Sequence, residues 1–234
     1  MPEHPRQPPT GDLPELTTEQ MREVDRIMVD ELHITLLQMM ENAGRNLAQL
    51  AIDREHPATC AVLAGPGGNG GGGLVAARHL ANRGVDIEVV LAAPQRMTPV
   101  PDHQLDILRR MGVPVVEQPR PAALVIDAVI GYALTGDPRG RAAELIGWAN
   151  TTEAPVLALD TPSGLDLTSG RLGTPCVRAD ATLTLALPKR GLRRAAEVVG
   201  ELFVADISVP PAVYARLGLE ICAPFTAGTI VRVF

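Results

Sequence analysis

Two helical stripes open the chain. Met21, Val24, Ile27 and Met28 recur at three- and four-residue spacing, and so do Leu36, Leu37, Met40, Ala43, Leu47 and Leu50. Thr17 with Gln20 three residues on is a capping-box pattern that starts the first helix. The second starts near Thr35. Glu41 and Asn42 interrupt its apolar run and face either solvent or a site. From residue 60 onward the pattern changes. Short, mostly apolar runs at 60–64, 86–92, 113–116, 123–127, 155–160, 181–187 and 202–206 read as strands. Amphipathic stretches at 74–83, 104–111 and 142–150, and a short one at 211–217, read as helices.

This β-α alternation predicts one Rossmann-like three-layer α/β/α sandwich with a mostly parallel central sheet and an N-terminal helical extension. The domain is expected over 15–234, after a proline-rich, polar leader at 1–14 that is expected to be disordered.

Composition narrows the function classes. Of the 234 residues 46% are hydrophobic but only 3% aromatic, so the core is mostly aliphatic, as parallel sheets buried on both faces are. A formal net charge of −6, with no long basic run, disfavours nucleic acid and anionic membranes as partners. No apolar run is long enough to span a bilayer, and no secretory h-region opens the chain. Cys60, Cys176 and Cys222 are widely spaced and odd in number. They read as free thiols of a cytoplasmic protein, not as a zinc site.

Candidate chemistry clusters where strands end. Seven of the nine residues from 65 to 73 are glycine, after a strand and before a helix. Such a loop brings ligand oxygens to exposed backbone N–H groups. The segment fits G-x-G-x-x-G, but the second strand ends in Val90-Leu91-Ala92 without the acid that holds a ribose. No Walker lysine follows either. Asp127 and Asp160 each end a strand run and are each followed by a loop, which suggests that two carboxylates converge beside the glycines. Asn69, Asp127 and Ser163 together could present oxygens to a hard cation. Lys189 reads equally as a side chain that reaches a phosphate or a carboxylate and as a solvated turn lysine.

These pieces, in this order, resemble the YjeF N-terminal family, which includes the NAD(P)H-hydrate epimerases. The matching segments are Met39-Met40-Glu41-Asn42-Ala43-Gly44, the glycine loop with Ala77-Arg78-His79-Leu80, Val125-Ile126-Asp127-Ala128-Val129-Ile130-Gly131, Leu159-Asp160-Thr161-Pro162-Ser163-Gly164-Leu165-Asp166, Leu187-Pro188-Lys189-Arg190-Gly191 and Ala205-Asp206-Ile207-Ser208-Val209-Pro210. The resemblance spans about 15–215. It implies an α/β/α sandwich, often a homodimer, that interconverts the R and S forms of NADHX and NADPHX ahead of a partner dehydratase. It places potassium ligands at Asn69, Asp127 and Ser163. It places substrate contacts at Gly68, Asn69, Gly70, Gly71 and Gly72, then at Gly131, Tyr132, Ala133, Leu134, Thr135, Gly136 and Asp137, and at Asp160. Where the family loop reads N-N-G-G-D-G, this chain has Gly68 and Gly72 in place of an amide and a carboxylate. Asp127 and Asp160 are therefore the expected catalytic carboxyls. Of the two, Asp160 is the better proton shuttle if Asp127 holds the cation. A non-catalytic binding or scaffold domain is the alternative that the two glycines leave open.

Overall fold

The computed structural model describes residues 13–221 and 224–234, so Cys222 and all but two residues of the expected leader lie outside the described residues. Eight strands form one sheet: β1 (Thr59–Ala64), β2 (Asp86–Leu91), β3 (Val115–Val116), β4 (Leu124–Ala128), β5 (Val156–Leu159), β6 (Ala181–Leu185), β7 (Glu201–Ala205) and β8 (Ile230–Arg232). Their order is β3-β2-β1-β4-β5-β6-β7-β8. All neighbouring pairs are parallel except β7 with β8, which is antiparallel. The strand order reverses between β1 and β4. In an open α/β sheet that switch point, at the strand C-termini, is where a crevice forms.

Helices α1 (Thr18–Arg26) and α2 (Leu36–Glu55) form the extension, with a π-helical segment, Ile27–Glu31, continuing α1. Both begin in complete capping boxes, Thr17 with Gln20 and Thr35 with Gln38. Then come α3 (Gly68–Ala81), α4 (Pro99–Arg110), α5 (Gly140–Ala149), α6 (Arg190–Arg194), α7 (Ala196–Val199) and α8 (Pro211–Arg216).

Alternate strand residues face opposite layers, as a period of two requires. Val62, Val89, Ile126 and Leu159 pack with Leu47, Leu74, Leu80 and Leu105 of α2, α3 and α4. Leu63, Val90, Val125 and Ala158 pack with Leu145 and Ile146 of α5. The inward faces of α1 and α2 are mostly buried within this chain, with Leu32, Leu36 and Leu37 left exposed. Leu16 forms a parallel bridge with Lys189, and its N–H donates to Pro188 O at 2.8 Å. That contact brings α1 over the C-terminal edge of the sheet. Among the described residues no helix is long and apolar enough to cross a membrane.

Candidate active site

The glycine-rich segment is a helix start, not a loop. β1 ends at Ala64, Gly67 is the N-cap, and α3 already runs from Gly68, six residues before the expected start. Most of the glycines are there for packing. A Cβ at Gly70 would sit 1.8 Å from Gly65 O, and one at Gly71 would sit 2.4 Å from Met40 Sδ. At Gly73 it would lie 2.5 Å from Ala128 Cβ, and at Gly72 2.7 Å from Leu159 Cδ2. Only by losing side chains can α3 approach the sheet and α2 this closely. Gly67 and Gly68 differ, because a Cβ on either would meet nothing within 4 Å. The N–H groups at 68–70 head the helix without intrahelical partners, and the helix dipole favours anionic or carbonyl oxygens there.

A cavity of about 370 Å³ lies at this helix start. Met21, Met39, Met40, Leu185 and Ile207 give it apolar walls. Asp25, Asn69, Tyr132 and Asp160 supply side-chain polar groups. Of the residues expected from sequence, Gly68, Asn69, Gly72, Gly131, Tyr132, Ala133 and Asp160 line it. Gly70 and Gly71 turn to the packing contacts just described. Leu134, Thr135, Gly136 and Asp137 do not line it; Asp137 is exposed and accepts from Arg171 at 2.8 Å.

Asp160 follows β5 directly and holds a left-handed φ of 64°. Its N–H donates to Leu183 O at 2.7 Å, which fixes that conformation against β6. Non-glycine residues in this region store about 1–3 kcal/mol of strain, and they cluster at functional sites. Lys189 is no solvated lysine. It is 1% exposed, and its Nζ donates to Asp160 Oδ1 at 2.5 Å and to Leu185 O at 2.7 Å. A buried ammonium therefore compensates the Asp160 carboxylate at the cavity wall.

Asp127 is placed differently from Asp160. It lies inside β4, one residue before the strand's end, and is fully buried. Its Oδ2 accepts from Ser163 N–H at 2.7 Å, and its Oδ1 accepts from Ser163 Oγ at 2.6 Å and from Val129 N–H at 3.2 Å. It does not line the cavity. The two strand-end carboxylates thus do not converge on one space. Burial pushes the Asp127 carboxyl up to about 6, although the Ser163 and Val129 bonds oppose this.

Asn69 lies against Gly131, where an added Cβ would meet its Cβ and Cγ at 3.2 Å. Its Nδ2 is buried without a hydrogen-bond partner. Asp127 and Ser163 are joined by hydrogen bonds, and among the described residues no group of three or more His, Cys, Asp or Glu side chains is gathered around a metal position.

Asp25 is the site residue missing from the sequence reading. Its carboxylate accepts from the Tyr132 hydroxyl at 2.6 Å, and burial raises it above the ordinary aspartate value. It lies four residues after Met21 and three before Met28, on the apolar stripe of α1. An acid in that stripe was the available signal.

The family model described as YjeF-related protein N-terminus matches residues 36–191, two thirds of the chain. The chain belongs to that family. An NAD(P)H-hydrate epimerase of Dehalogenimonas lykanthroporepellens is 46% identical over 226 residues, covering 93% of this chain and 91% of that protein. One from Rhodopirellula baltica is 34% identical, covering 86% and 87%. A bifunctional NAD(P)H-hydrate repair enzyme of Hyperthermus butylicus is 40% identical over 75% of this chain, which spans only 35% of that longer protein. A yeast protein of known crystal structure matches with a TM-score of 0.82 at 24% identity, over 94% of this chain and all of the other. That likeness bears out the α/β/α architecture of the family fold.

Proposed function

We propose that this chain is an NAD(P)H-hydrate epimerase, an isomerase that interconverts the R and S forms of NADHX and NADPHX. The observation that carries the reading is the cavity at the β1/β4 switch point, with the Asp160–Lys189 pair in its wall, in a chain matched almost end to end by named epimerases. A hydrated nicotinamide ring suits such a space. Apolar walls exclude water around it, and the N–H groups that head α3 suit the oxygens of its carboxamide or phosphates.

Epimerisation at C6 requires a bond to that carbon to break and reform. Asp160, which lines the cavity, is the carboxylate we assign to taking the C6 hydroxyl proton and returning it. Lys189 keeps that carboxylate compensated in a dry wall. Asn69, Asp127 and Ser163 would hold potassium, which supplies a fixed positive charge beside the cavity. Asp127 then serves as a ligand and as the tie between β4 and the 161–164 turn, and Asp160 serves as the shuttle.

The same reading includes a homodimer, for which the exposed Leu32, Leu36 and Leu37 offer surface. It also includes a cytoplasmic location and work ahead of an S-specific dehydratase. The longer repair enzymes, named as bifunctional, support that last link.

The test couples the purified chain to an S-specific dehydratase acting on racemic NADPHX. Full conversion at a rate set by this chain is expected. Conversion that stalls at the spontaneous epimerisation rate, with the nucleotide still bound, favours the binding or scaffold role instead.

A further inference from the structure

We propose that Asp25 is the proton donor of this reaction, working across the same cavity from the Lys189-paired Asp160. The inference rests on the epimerase reading and adds a second catalytic group to it. Asp25 reaches the cavity because the Leu16–Lys189 bridge lays α1 over the sheet edge. Its position on the inward stripe of α1 turns the carboxyl toward the space that Met21 and Met39 also line.

The two carboxyls have opposite surroundings. Asp160 Oδ1 accepts from Lys189 Nζ at 2.5 Å, from Thr184 Oγ1 at 3.2 Å and from Leu185 N–H at 3.3 Å. Among the described residues no ammonium or guanidinium forms an ion pair with Asp25. Among the described residues its one hydrogen-bond partner is the Tyr132 hydroxyl, which donates to Oδ2 at 2.6 Å, so none is recorded on Oδ1. Burial raises its pKa above the ordinary aspartate value, opposed by the Tyr132 bond and by Lys189 through space, and reinforced by the Asp160 charge. Two carboxyls held in unlike settings within one site are how a protein runs a base and an acid side by side.

The balanced step is ring opening and reclosure. The Asp160 carboxylate takes the proton of the C6 hydroxyl, and a C6=O double bond forms as the C6–N1 bond breaks. The electron pair goes to N1, which takes the Asp25 proton. Rotation about C5–C6 turns the new aldehyde's other face to N1. N1 then attacks C6 and returns its proton to Asp25, while the oxygen recovers its proton from Asp160. Both carboxyls are restored, and nothing is oxidised or reduced.

The experiment measures kcat and KM for the interconversion of NADPHX epimers, followed by proton NMR, in the wild type and in Asp25→Asn, Asp25→Glu and Asp160→Asn variants. Asp25→Asn keeps shape and hydrogen bonding but cannot give up a proton. It is expected to lose about 100-fold or more in kcat with KM within about threefold, the usual size of an acid–base contribution. Asp25→Glu restores a carboxyl and is expected to recover at least about a tenth of the wild-type kcat. A purely structural Asp25 would instead lower activity in step with the folded fraction, read by thermal unfolding of the same samples, and would show no rescue. That result, or an Asp25→Asn kcat within about threefold of wild type beside an inactive Asp160→Asn, overturns the donor role and leaves the epimerase reading standing. A wild-type chain that does not equilibrate the epimers overturns both.

Discussion

Adding one methyl group at Gly70 and one at Gly68 should have opposite effects on stability. Both residues lie in the first turn of α3. In the Gly70→Ala variant the new Cβ falls 1.8 Å from Gly65 O, 2.6 Å from Gly65 C and 2.7 Å from Gly65 N. All three atoms are backbone, so no rotamer change relieves the clash, and the turn after β1 must move by more than an ångström. Overpacking against side chains costs about 1–3 kcal/mol, and a rigid backbone partner puts this case at or above the top of that range. The helix gains at most about 1 kcal/mol from replacing glycine by alanine. A net loss of about 2–3 kcal/mol follows. Gly68→Ala meets nothing within 4 Å, so only the gain remains, from a few tenths to about 1 kcal/mol. Urea unfolding followed by far-UV circular dichroism reads both. With a slope of about 3 kcal/mol per molar, the midpoint drops by about 0.7–1 M for Gly70→Ala and stays or rises for Gly68→Ala. Equal midpoints for the two variants would refute the division between packing glycines and cavity-facing ones.

Removing the ammonium in Lys189→Met leaves Asp160 buried and unpaired, which should cost about 3–5 kcal/mol of stability by urea unfolding. Adding Asp160→Asn should recover much of that loss, and simple additivity of the two changes would contradict the pairing. Potassium at about 100 times its dissociation constant should stabilise the chain by about 2.7 kcal/mol over choline at equal ionic strength, and Asp127→Asn should abolish the difference. Identical melting in the two salts would remove the cation from the account. Gly72→Asp restores the family carboxylate, but its Cβ would lie 2.7 Å from Leu159 Cδ2, a side-chain end that can turn aside, so it should lose about 1 kcal/mol, the low end of the overpacking range, and regain part of it with Leu159→Ala. No loss in the single variant would show that Leu159 does not fill that space.

The central strands were legible because each is a continuous aliphatic run, such as Cys60-Ala61-Val62-Leu63-Ala64 or Leu124-Val125-Ile126. Three-residue β8 was not, because its pairing with β7 is a long-range contact that leaves little local pattern. The start of α3 was misplaced by six residues, since glycine is a poor helix former and packing against Met40, Ala128 and Leu159 overrides that preference. α4 begins at Pro99, and proline at the first helical position reads locally as a break.

Among the site residues, Asp160 was readable as a strand-end acid, and Lys189 as an even choice between an anion ligand and a solvated turn lysine, because a turn position by itself does not say which anion is near. Asp127 was readable as an acid near a strand's end, yet its direction was not. It shares a strand face with Val125 and Val129 on the α5 side, one residue out of register with the face toward α3. Asp25 stayed hidden because periodicity counts apolar residues, and the acid among them was passed over.

The most direct test of the account is the equilibration of purified (R)-NADPHX, followed by proton NMR of the two epimers, with wild type and with Asp160→Asn at matched folded concentration. Wild type should bring the mixture to equilibrium far faster than the spontaneous reaction, while Asp160→Asn should slow it by about 100-fold or more. A wild-type rate equal to the protein-free rate, or an Asp160→Asn rate equal to wild type, would contradict it.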